Sequence, residues 1–448
     1  MSSFVTTSNT AAVQVREIDS RRRLRELLQS NLEFHEERSN HSTHDFHAFP
    51  AKFPPQLPRA FINDLTLPGE CVLDPMMGSG TTLVEALAAG RRAVGFDIDP
   101  LATLISSVKT KSIDVEKALE KGQEIASKAK GLLVDEPVVL VEELDKAFDT
   151  ETREFINYWF SENTQLELMA LRLGIQSVRD LQLRDFLRLC FSAIIITKSG
   201  GVSLAWDLAH TRPHKFRQGE PKSYRHAVPE FLKRLSKNAA SMKTLPELLE
   251  RPEVMLGNAE KIDLPDESVD LLFTSPPYAS NAIDYMRASK FSLVWMGYEV
   301  TDLTRLRAKY IGGENVRDFA MEELPSHTNK LVEKISLLNK KRGSALKRYY
   351  SEMTRVLRET KRVLKPDRTA AFVVGSAVMA GIDSQAQNCL GEIGAAVGLD
   401  LVEIGERRLD RNRRMMPVTL KKQTESQIEN RMHQEYVVGF YKPSVNRF

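Results

Sequence analysis

Cysteine is scarce in this sequence, which has Cys71, Cys190 and Cys389 among its 448 residues. The three lie far apart, their number is odd, and no two have the spacing of a metal-binding pair. These features argue against a disulfide framework and against a zinc site. We therefore expect a reducing, cytoplasmic location and no bound metal.

Long apolar runs and a strong charge of one sign are also lacking. The longest nearly apolar stretch, residues 370–381, is much shorter than the roughly 20 residues of a membrane span. The first twenty residues are polar and mixed in charge, which argues against a secretory signal. Lys and Arg total 63 and Asp and Glu total 60, so the net charge is only +3. A nucleic-acid site must therefore come from local clusters of basic residues.

Two α/β blocks flank a segment that favours helices. The first block has strands at 71–73 and 93–96 around a glycine-rich turn and a helix, and this βαβ unit implies a parallel sheet covered by helices. The second block begins near residue 252. Its expected elements are strands at 254–256, 269–273, 370–374, 399–404 and 436–441 and a helix at 344–364. The clearest helices between the blocks are at 115–133 and 178–198.

This order predicts a doubly wound, mostly parallel, Rossmann-like α/β core with a helical insertion. The expected divisions are a polar and helical extension (1–40), a cofactor-binding half (41–110), a mainly helical insertion (111–250) and a catalytic half (251–448). The basic residues at 21–25 indicate a solvated helix within the extension.

The turn at residues 74–82 has the features of a cofactor site. Gly78 and Gly80 allow close approach of the backbone to a ligand, and Asp97 at the end of the next strand suits the hydroxyls of an adenosine ribose. Leu83 replaces the third glycine of a dinucleotide site, and the Gly-Lys-Ser/Thr ending of a phosphate-binding loop is missing. Asp74 disfavours a pyrophosphate and suits the amino group of S-adenosylmethionine. A plain tight turn is the simpler alternative.

The segment Ser275-Pro276-Pro277-Tyr278 follows an apolar strand and predicts a catalytic loop. Its two prolines fix φ and remove two N–H donors, so a stiff loop presents carbonyl acceptors. An exocyclic amine of a nucleobase is a poor nucleophile, because its lone pair is delocalised into the ring. We predict that Ser275 and the carbonyl of Pro276 accept hydrogen bonds from this amine, and that Tyr278 stacks on a base flipped out of the duplex. A proline-rich turn after a strand is the simpler alternative.

The two motifs resemble those of the amino-methyltransferase family of DNA modification enzymes. Residues 74–82 (DPMMGSGTT) look like the family's cofactor motif. Residues 274–278 (TSPPY) look like its catalytic motif in the form typical of cytosine N4 enzymes. Adenine N6 enzymes more often have Asp at the position of Ser275, so adenine stays open. The resemblance implies S-adenosylmethionine as cofactor and double-stranded DNA as substrate.

Three further segments resemble this family. Residues 47–54 (HAFPAKFP) resemble the segment that encloses the methionine moiety, although Phe49 and Phe53 equally suit a core. Residues 257–259 resemble the third cofactor element, usually Gly-Asp-Ala, with Asn258 in place of Asp, and residues 283–287 (IDYMR) also look family-like. The expected cofactor-binding residues are Phe49, Ala51, Phe53, Asp74, Pro75, Gly78, Gly80, Thr81, Asp97, Asn258 and Ala259. The expected catalytic residues are Ser275, Pro276, Pro277 and Tyr278.

The order of the motifs resembles the family class whose target-recognition domain lies between the two halves. Basic residues alternate with aromatic rings at 212–226, a second basic cluster spans 407–414, and a third spans 305–309. Such side chains suit DNA phosphates and bases, whereas a solvated loop is the alternative for the first cluster. The DNA-binding candidates are Arg212, Lys215, Arg217, Arg225, Arg411, Arg413 and Arg414.

The sequence therefore predicts a site-specific DNA methyltransferase that modifies cytosine N4. Besides adenine N6, two alternatives stay open: an RNA methyltransferase acting on a guanosine amino group, and a catalytically inactive DNA-binding protein. A cognate restriction endonuclease or another defence component is a candidate partner. No membrane contact is expected.

Overall fold

A computed structural model describes residues 20–35, 37, 41–50, 52–197, 200–206, 216–217, 220–245, 252–279, 284–313, 319–409 and 434–444. Its strands are β1 (Cys71–Asp74), β2 (Arg92–Asp97), β3 (Phe216–Arg217), β4 (Glu220–Pro221), β5 (Glu253–Leu256), β6 (Val269–Thr274), β7 (Leu364–Gly375), β8 (Val378–Met379), β9 (Ile382–Asp383), β10 (Asp400–Arg408) and β11 (Gln434–Lys442).

The described helices begin with α1, at residues 20–29. The others are α2 (Gln56–Leu65), α3 (Thr81–Ala88), α4 (Pro100–Lys109), α5 (Val115–Asp135), α6 (Pro137–Ala147), α7 (Thr150–Trp159), α8 (Glu162–Gln176), α9 (Leu181–Ile195), α10 (Ala227–Met242), α11 (Tyr285–Leu293), α12 (Val300–Arg307), α13 (Ser326–Leu338), α14 (Lys340–Val363) and α15 (Ala386–Ala396). A 3-10 turn, Val294–Met296, follows α11.

The centre of the fold is a seven-stranded sheet in the order β10-β11-β7-β6-β1-β2-β5. Its neighbours from β7 to β5 pair in parallel, and β11 is antiparallel to both β7 and β10. The doubly wound, mostly parallel α/β fold predicted from the sequence is therefore confirmed. The predicted strands are all present, although β7 begins at Leu364 rather than at residue 370.

The middle of the sheet explains the apolar runs of the sequence. Every residue of β1 and of β6 is buried, as expected for parallel strands that are covered on both faces. One face packs on α13, α14 and α15 through side chains such as Met353, and the other packs on α2 and α3 through side chains such as Phe61. Burial of one such side chain contributes about 1.5–3 kcal/mol to folding.

The first described helix differs from its prediction. Arg22 and Arg25 are exposed as expected, but Leu24 and Leu28 are 0% and 2% exposed and pack against the sheet. A Cβ on Gly439 of β11 would lie 2.4 Å from Leu28 Cδ1. Only one face of α1 is therefore solvated, because leucines four residues apart share a helix face.

The helices from α5 to α10 form a separate layer with an apolar core that also includes side chains of α4 and α11. The predicted helix at 178–198 is shorter, because Asp180 caps α9 by accepting a hydrogen bond from the backbone N–H of Leu183. The boundaries of the helical insertion remain a prediction. Within the described ranges, no helix combines the length and apolar character needed to cross a bilayer.

Candidate active site

The strand order brings four loops to one rim of the sheet. Strands β6, β1, β2 and β5 are neighbours and run in the same direction, so the segments after their carboxyl ends meet there. These segments are residues 75–80, 98–99, 257–259 and 275–278. Thr274 Oγ1 donates a 2.6 Å hydrogen bond to Asp74 Oδ1, so the two motifs that are 200 residues apart in the chain are in direct contact.

The turn after β1 is held by carboxylates. Asp74 Oδ1 accepts a hydrogen bond from the N–H of Met76 at 3.2 Å, and Asp97 Oδ2 accepts one from the N–H of Gly78 at 2.8 Å. Gly78 has φ of +50°, a conformation that glycine adopts without strain. A Cβ on Gly78 would also lie 3.0 Å from Phe49 Cε1. The backbone conformation therefore favours glycine, and a side chain here would also press on the Phe49 ring.

Gly80, which was predicted to contact the cofactor, instead packs against α4. It precedes α3 with φ of +72°, and a Cβ there would lie 2.7 Å from Ser106 Oγ on α4. It does not line the cleft described below. Its small size instead allows α4 to pack closely against the turn, where Ser106 Oγ also donates a hydrogen bond to the carbonyl of Gly78.

The rim encloses a cleft of about 860 Å³, counting the space at its open mouth. The sequence-predicted residues that line it are Phe49, Phe53, Asp74, Pro75, Gly78, Thr81, Asp97, Asn258, Ala259, Ser275 and Pro277. Ala51 lies outside the described residues.

Several other residues line the cleft. Lys52, Met76, Met77, Ser79 and Gly257 belong to the predicted cofactor motifs but were not singled out, whereas no cofactor role was predicted for Ile98, Asp99, Tyr285, Lys309, Tyr310 and Ile311. Tyr285 stacks on Phe49 with the ring centroids 5.7 Å apart, and its family-like segment was the one available signal. Lys309 had been grouped with candidate DNA contacts, since its sequence neighbours Arg305 and Arg307 are also basic. These assignments need the tertiary structure, because the side chains come from separate elements.

Three carboxyl groups give the cleft an acidic character. Burial raises the pKa of Asp74 to about 6. Burial, followed by the nearby Asp99 carboxylate, raises the pKa of Asp97 to about 7, and burial also raises the pKa of Asp99. Ionised carboxylates in this setting lack full compensation. A cationic ligand that also offers hydroxyl donors would relieve that cost.

The carboxylate of Asp74 is more enclosed than the sequence suggested. Its side chain is 1% exposed, and Oδ1 already accepts hydrogen bonds from Thr274 and from the backbone of Met76. This carboxylate therefore has few acceptor positions left for a direct hydrogen bond from a ligand amino group. Asp97 is only partly buried and is the carboxyl group at the end of β2 that lines the same cleft.

The loop after β6 is anchored to two other strands. Ser275 Oγ donates a 3.0 Å hydrogen bond to the carbonyl of Val373 on β7. Tyr278 donates from its hydroxyl to Glu435 Oε1 on β11 at 2.8 Å. A Cβ on Gly375 would lie 2.6 Å from Tyr278 Cε2, so the ring packs closely on the backbone of β7. Unlike Ser275 and Pro277, Pro276 and Tyr278 are not part of the cleft wall.

Glu435 and Arg407 were not expected in this site. Arg407 Nη1 lies 3.0 Å from Glu435 Oε2, and the arginine side chain is 3% exposed. Arg407 belonged to a basic cluster predicted to contact DNA, and this pairing instead connects it through Glu435 to Tyr278. Burial, then the charge of Glu435, raises the pKa of Tyr278, so the phenol remains a donor. Glu435 is opposite Arg407 in the pairing of β10 with β11 and opposite Gly375 in the pairing of β11 with β7, so strand register brings these contacts together.

The predicted DNA contacts are only partly described. Arg212, Lys215, Arg411, Arg413 and Arg414 lie outside the described residues, as does the side chain of Arg217.

Arg225 is exposed, and its Nη1 donates to the carbonyl of Gly200 at 3.3 Å. Lys222, in the same predicted cluster, donates to the backbone carbonyls of Gly201, Ser203 and Ala205. Burial lowers the pKa of Lys222 to about 8. Lys222 is therefore engaged in holding the loop at 200–206.

A second cluster of polar side chains lies beside α3. Potential ligand atoms of His41, His44 and Glu85 fall within 4.8 Å of one another. However, Glu85 accepts hydrogen bonds from both imidazoles and from Arg59 Nε, the last at 2.6 Å. Burial lowers the pKa of His44 to about 4. The neutral imidazole of His44, together with the His41 ring and the Arg59 guanidinium, thus already satisfies this carboxylate and ties residues 41–44 to α3.

Comparisons with known proteins find DNA methyltransferases among the proteins similar to this chain. A family model for N6 and N4 methylases, described as DNA methylase, matches residues 9–106. Type II methyltransferase M.MvaI of Kocuria varians is 27% identical over 358 residues, which cover 75% of this chain and 77% of that protein. Type II methyltransferase M.BsoBI of Geobacillus stearothermophilus is 23% identical and covers 80% and 78%, respectively.

Among solved structures, a TehB-like SAM-dependent methyltransferase from Corynebacterium glutamicum matches 86% of this chain and 86% of its own, with 10% identity and a TM-score of 0.27. The matches to DNA methylases support an S-adenosylmethionine-dependent methyltransferase. The family model and the type II relatives support a DNA amino-methyltransferase family for this chain.

The residues of the cleft fit S-adenosylmethionine. The cofactor carries positive charge, which the carboxyl groups of Asp74, Asp97 and Asp99 complement. A Cβ on Gly257 would lie 2.7 Å from Phe96 Cδ1, so glycine keeps the third cofactor segment close to β2. The aromatic pair of Phe49 and Tyr285 offers an apolar wall for the rest of the ligand.

Proposed function

We propose that this protein is a type II DNA methyltransferase that transfers a methyl group from S-adenosylmethionine to the N4 amino group of cytosine within a specific duplex sequence. The observation that supports it most is the contact of the Thr-Ser-Pro-Pro-Tyr loop with the cofactor turn, through Thr274 and Asp74. Ser275, rather than an aspartate, leads that loop. The type II methyltransferases similar to this chain support DNA as the substrate.

Ser275 would act as a fixed acceptor for the target amine. Its hydroxyl proton is donated to the carbonyl of Val373, which leaves the oxygen lone pairs for a hydrogen bond from the amine. The carbonyl of Pro276 would accept from the second amino hydrogen. Two acceptors that engage both N–H bonds favour a pyramidal nitrogen, whose lone pair is then available to attack.

Tyr278 would position the target base by stacking against it. The phenol is fixed by Glu435, and the ring packs on the backbone at Gly375. A base reaches such a loop only after it leaves the duplex stack, and stacking on an aromatic ring contributes about 1–3 kcal/mol per base. The base would thereby be held with its amino group towards Ser275.

The cofactor would lie along the rim, with Asp97 accepting hydrogen bonds from its ribose and Asn258 contacting its adenine. Bound S-adenosylmethionine supplies an electrophilic methyl carbon on a sulfonium centre. Phe49, Phe53 and Pro75 would shield this centre from water, and positioning together with desolvation would provide most of the rate. Thr81 and Ala259 complete the proposed cofactor site, in which no residue is required as a covalent nucleophile.

The helical layer from α5 to α10 would carry target recognition, with Arg225 and the basic residues near 212–217 and 411–414 on the DNA. A cytoplasmic location is part of the proposal and is supported by free, buried cysteines at positions 71, 190 and 389. A restriction endonuclease of the same specificity is the proposed functional partner.

Transfer of a labelled methyl group from S-adenosylmethionine tests the proposal. Duplex DNA, single-stranded DNA and RNA are offered separately, and the modified nucleosides are identified by mass spectrometry. We expect N4-methyldeoxycytidine from duplex DNA. N6-methyldeoxyadenosine would correct the target base, and label in RNA alone would reject DNA as the substrate.

The sequence context is read by methylation-sensitive sequencing of DNA from an expressing host. One recurring motif is expected for a type II specificity. Methylation spread over unrelated sequences would contradict site specificity even if the base proved to be cytosine. The Ser275→Ala variant provides the background in both experiments.

A further inference from the structure

A second cavity lies in the helical layer, away from the cofactor cleft. Counting the space at its open mouth, it occupies about 610 Å³ between α8, α9 and the 3-10 turn Val294–Met296. Arg172, Arg184 and Arg188 line it together with Trp295. We call this cavity the arginine pocket. Its remaining lining is mainly apolar, from Ile175, Phe191 and Met296.

The positive charge of the arginine pocket is only partly compensated. Arg188 Nη1 lies 3.2 Å from Asp185, and both side chains are about one-third exposed. No described residue makes an ion pair with Arg184 or with Arg172. The guanidinium of Arg172 instead lies 4.9 Å from the ring centroid of Phe148. Two of the three arginines therefore carry charge that no ion pair within the described residues neutralises.

Arg172 carries the clearest sign of an unmet interaction. Its Nε is buried and has no hydrogen-bond partner among the described residues. Burial lowers the pKa of Arg172, and the charge of Glu143 offsets this only in part. A buried donor without a hydrogen-bond partner is costly, so an acceptor atom from a negatively charged ligand would stabilise Arg172 here.

Trp295 supplies an independent indication. Its side chain is 1% exposed, and its indole Nε1 has no hydrogen-bond partner among the described residues. Tryptophan can only donate through this atom, as arginine can only donate through its guanidinium. The pocket thus gathers donors from four side chains, whereas Gln176 is the lining side chain with a strong acceptor among those described.

We propose that the arginine pocket binds a phosphate-type oxyanion. Guanidinium groups pair with phosphate oxygens through two parallel hydrogen bonds. A phosphoryl group has enough acceptor oxygens to engage donors from several directions, whereas a single carboxylate has two. The source is either a phosphodiester of bound DNA, which rests on the proposed function, or a free phosphate, which does not.

Thermal unfolding in inorganic phosphate tests the pocket directly. Wild-type protein is compared in phosphate and in chloride at equal ionic strength, and phosphate should raise Tm by about 2 °C or more. The Arg172→Met variant should lose this difference. Arg188→Met should also lose it, which covers the case that one variant folds poorly. Arg179→Met, which removes an exposed arginine between α8 and α9, is the matched control and should keep it.

DNA affinity measured over a range of chloride concentrations identifies the source. If a phosphodiester occupies the pocket, Arg172→Met should lower the slope of log Kd against log salt concentration by about 1, and Arg179→Met should not. If Arg172→Met loses the phosphate-dependent Tm difference but keeps the wild-type slope, the ligand of the pocket is a free phosphate. Equal Tm responses and equal slopes in wild type and both pocket variants would overturn the proposal. Failure of wild type to bind DNA would contradict the proposed function, while the phosphate experiment would still test the pocket.

Discussion

The cofactor cleft and the arginine pocket bury charge of opposite sign. In the cleft, burial raises the pKa of Asp74 and Asp97, and in the pocket it lowers the pKa of Arg172. In both places the protein accepts a desolvation cost that its own residues do not fully compensate. The cleft therefore favours a cation and the pocket an anion, and each site should respond to substitutions that leave the other unaffected.

The largest expected effect is a loss of turnover at the cleft without a matching loss of cofactor affinity. Ser275→Ala should reduce kcat by about 100-fold or more, by analogy with removal of one hydrogen-bonding group that acts in a transition state. S-adenosylmethionine affinity and the phosphate response of the pocket should change little, since Ser275 Oγ contacts the backbone of Val373. Single-turnover methyl transfer and calorimetry provide the measurements.

Ser236→Ala, at an exposed position of α10, is the control for this substitution. Near-normal turnover of Ser275→Ala would reject the assigned acceptor role. A parallel loss of cofactor affinity and turnover would instead indicate that Ser275 supports the cleft as a whole.

The next effect concerns the support of Tyr278. Glu435→Ala should lower the free energy of unfolding by about 3 kcal/mol, because it leaves the buried Arg407 without its partner. It should also reduce kcat, since the Tyr278 hydroxyl loses its acceptor.

Two milder variants refine this prediction. Glu435→Gln keeps an acceptor oxygen and should recover much of kcat while recovering less stability. Tyr278→Phe should cost about 1 kcal/mol of stability through one lost hydrogen bond. Equal kcat for Glu435→Ala and wild type, measured on the folded fraction, would remove Glu435 from the positioning of Tyr278.

Asp97→Asn tests the charge of the cleft. Loss of this carboxylate should weaken S-adenosylmethionine binding by roughly tenfold, which corresponds to about 1.4 kcal/mol. The phosphate-dependent Tm difference assigned to the pocket should persist, whereas Arg172→Met should show the reverse pattern. If both variants impair both ligands, the two sites are coupled and the comparison between them fails.

The smallest effect is a pH dependence that originates at Asp97. The pKa of Asp97 is about 7 in the folded protein and about 3.9 in the unfolded chain. Between pH 4 and pH 7, roughly, the carboxyl group is therefore protonated in the folded protein and ionised in the unfolded chain. The free energy of unfolding of the cofactor-free protein should therefore increase as pH falls from 8 to 6. Asp97→Asn should reduce this slope by at most about 1.4 kcal/mol per pH unit.

Cofactor affinity should show the opposite trend, because the ionised carboxylate is the form that accepts hydrogen bonds from the ribose. We expect affinity for S-adenosylmethionine to rise roughly fivefold from pH 6 to pH 7.5. Calorimetry of wild type and Asp97→Asn gives the comparison, and an equal pH dependence in both would assign the titration to another group.

The motifs near the strand ends could be predicted from the sequence. The apolar runs at 71–73 and 269–273 predicted buried parallel strands, and the glycines and prolines after them marked the loops of the rim. Lining of the cleft by Asp74, Asp97 and Ser275 follows from this simple rule for parallel sheets. Gly80 did not follow it, because its close neighbour Ser106 belongs to α4.

Contacts between elements that are distant in the sequence could not be predicted in this way. Arg407 appeared to be one of several basic residues near a strand end, but its partner Glu435 is provided by β11. The arginines of the pocket lie on α8 and α9, and the indole that completes their donor set comes from the turn after α11.

The α/β architecture and the two motifs can be predicted from the amino-acid sequence, because strand burial, glycine freedom and proline rigidity are local properties of the chain. Which charges remain without partners is known only once the chain is folded. That outcome depends on the dielectric surroundings and on side chains contributed by strands and helices far apart in sequence.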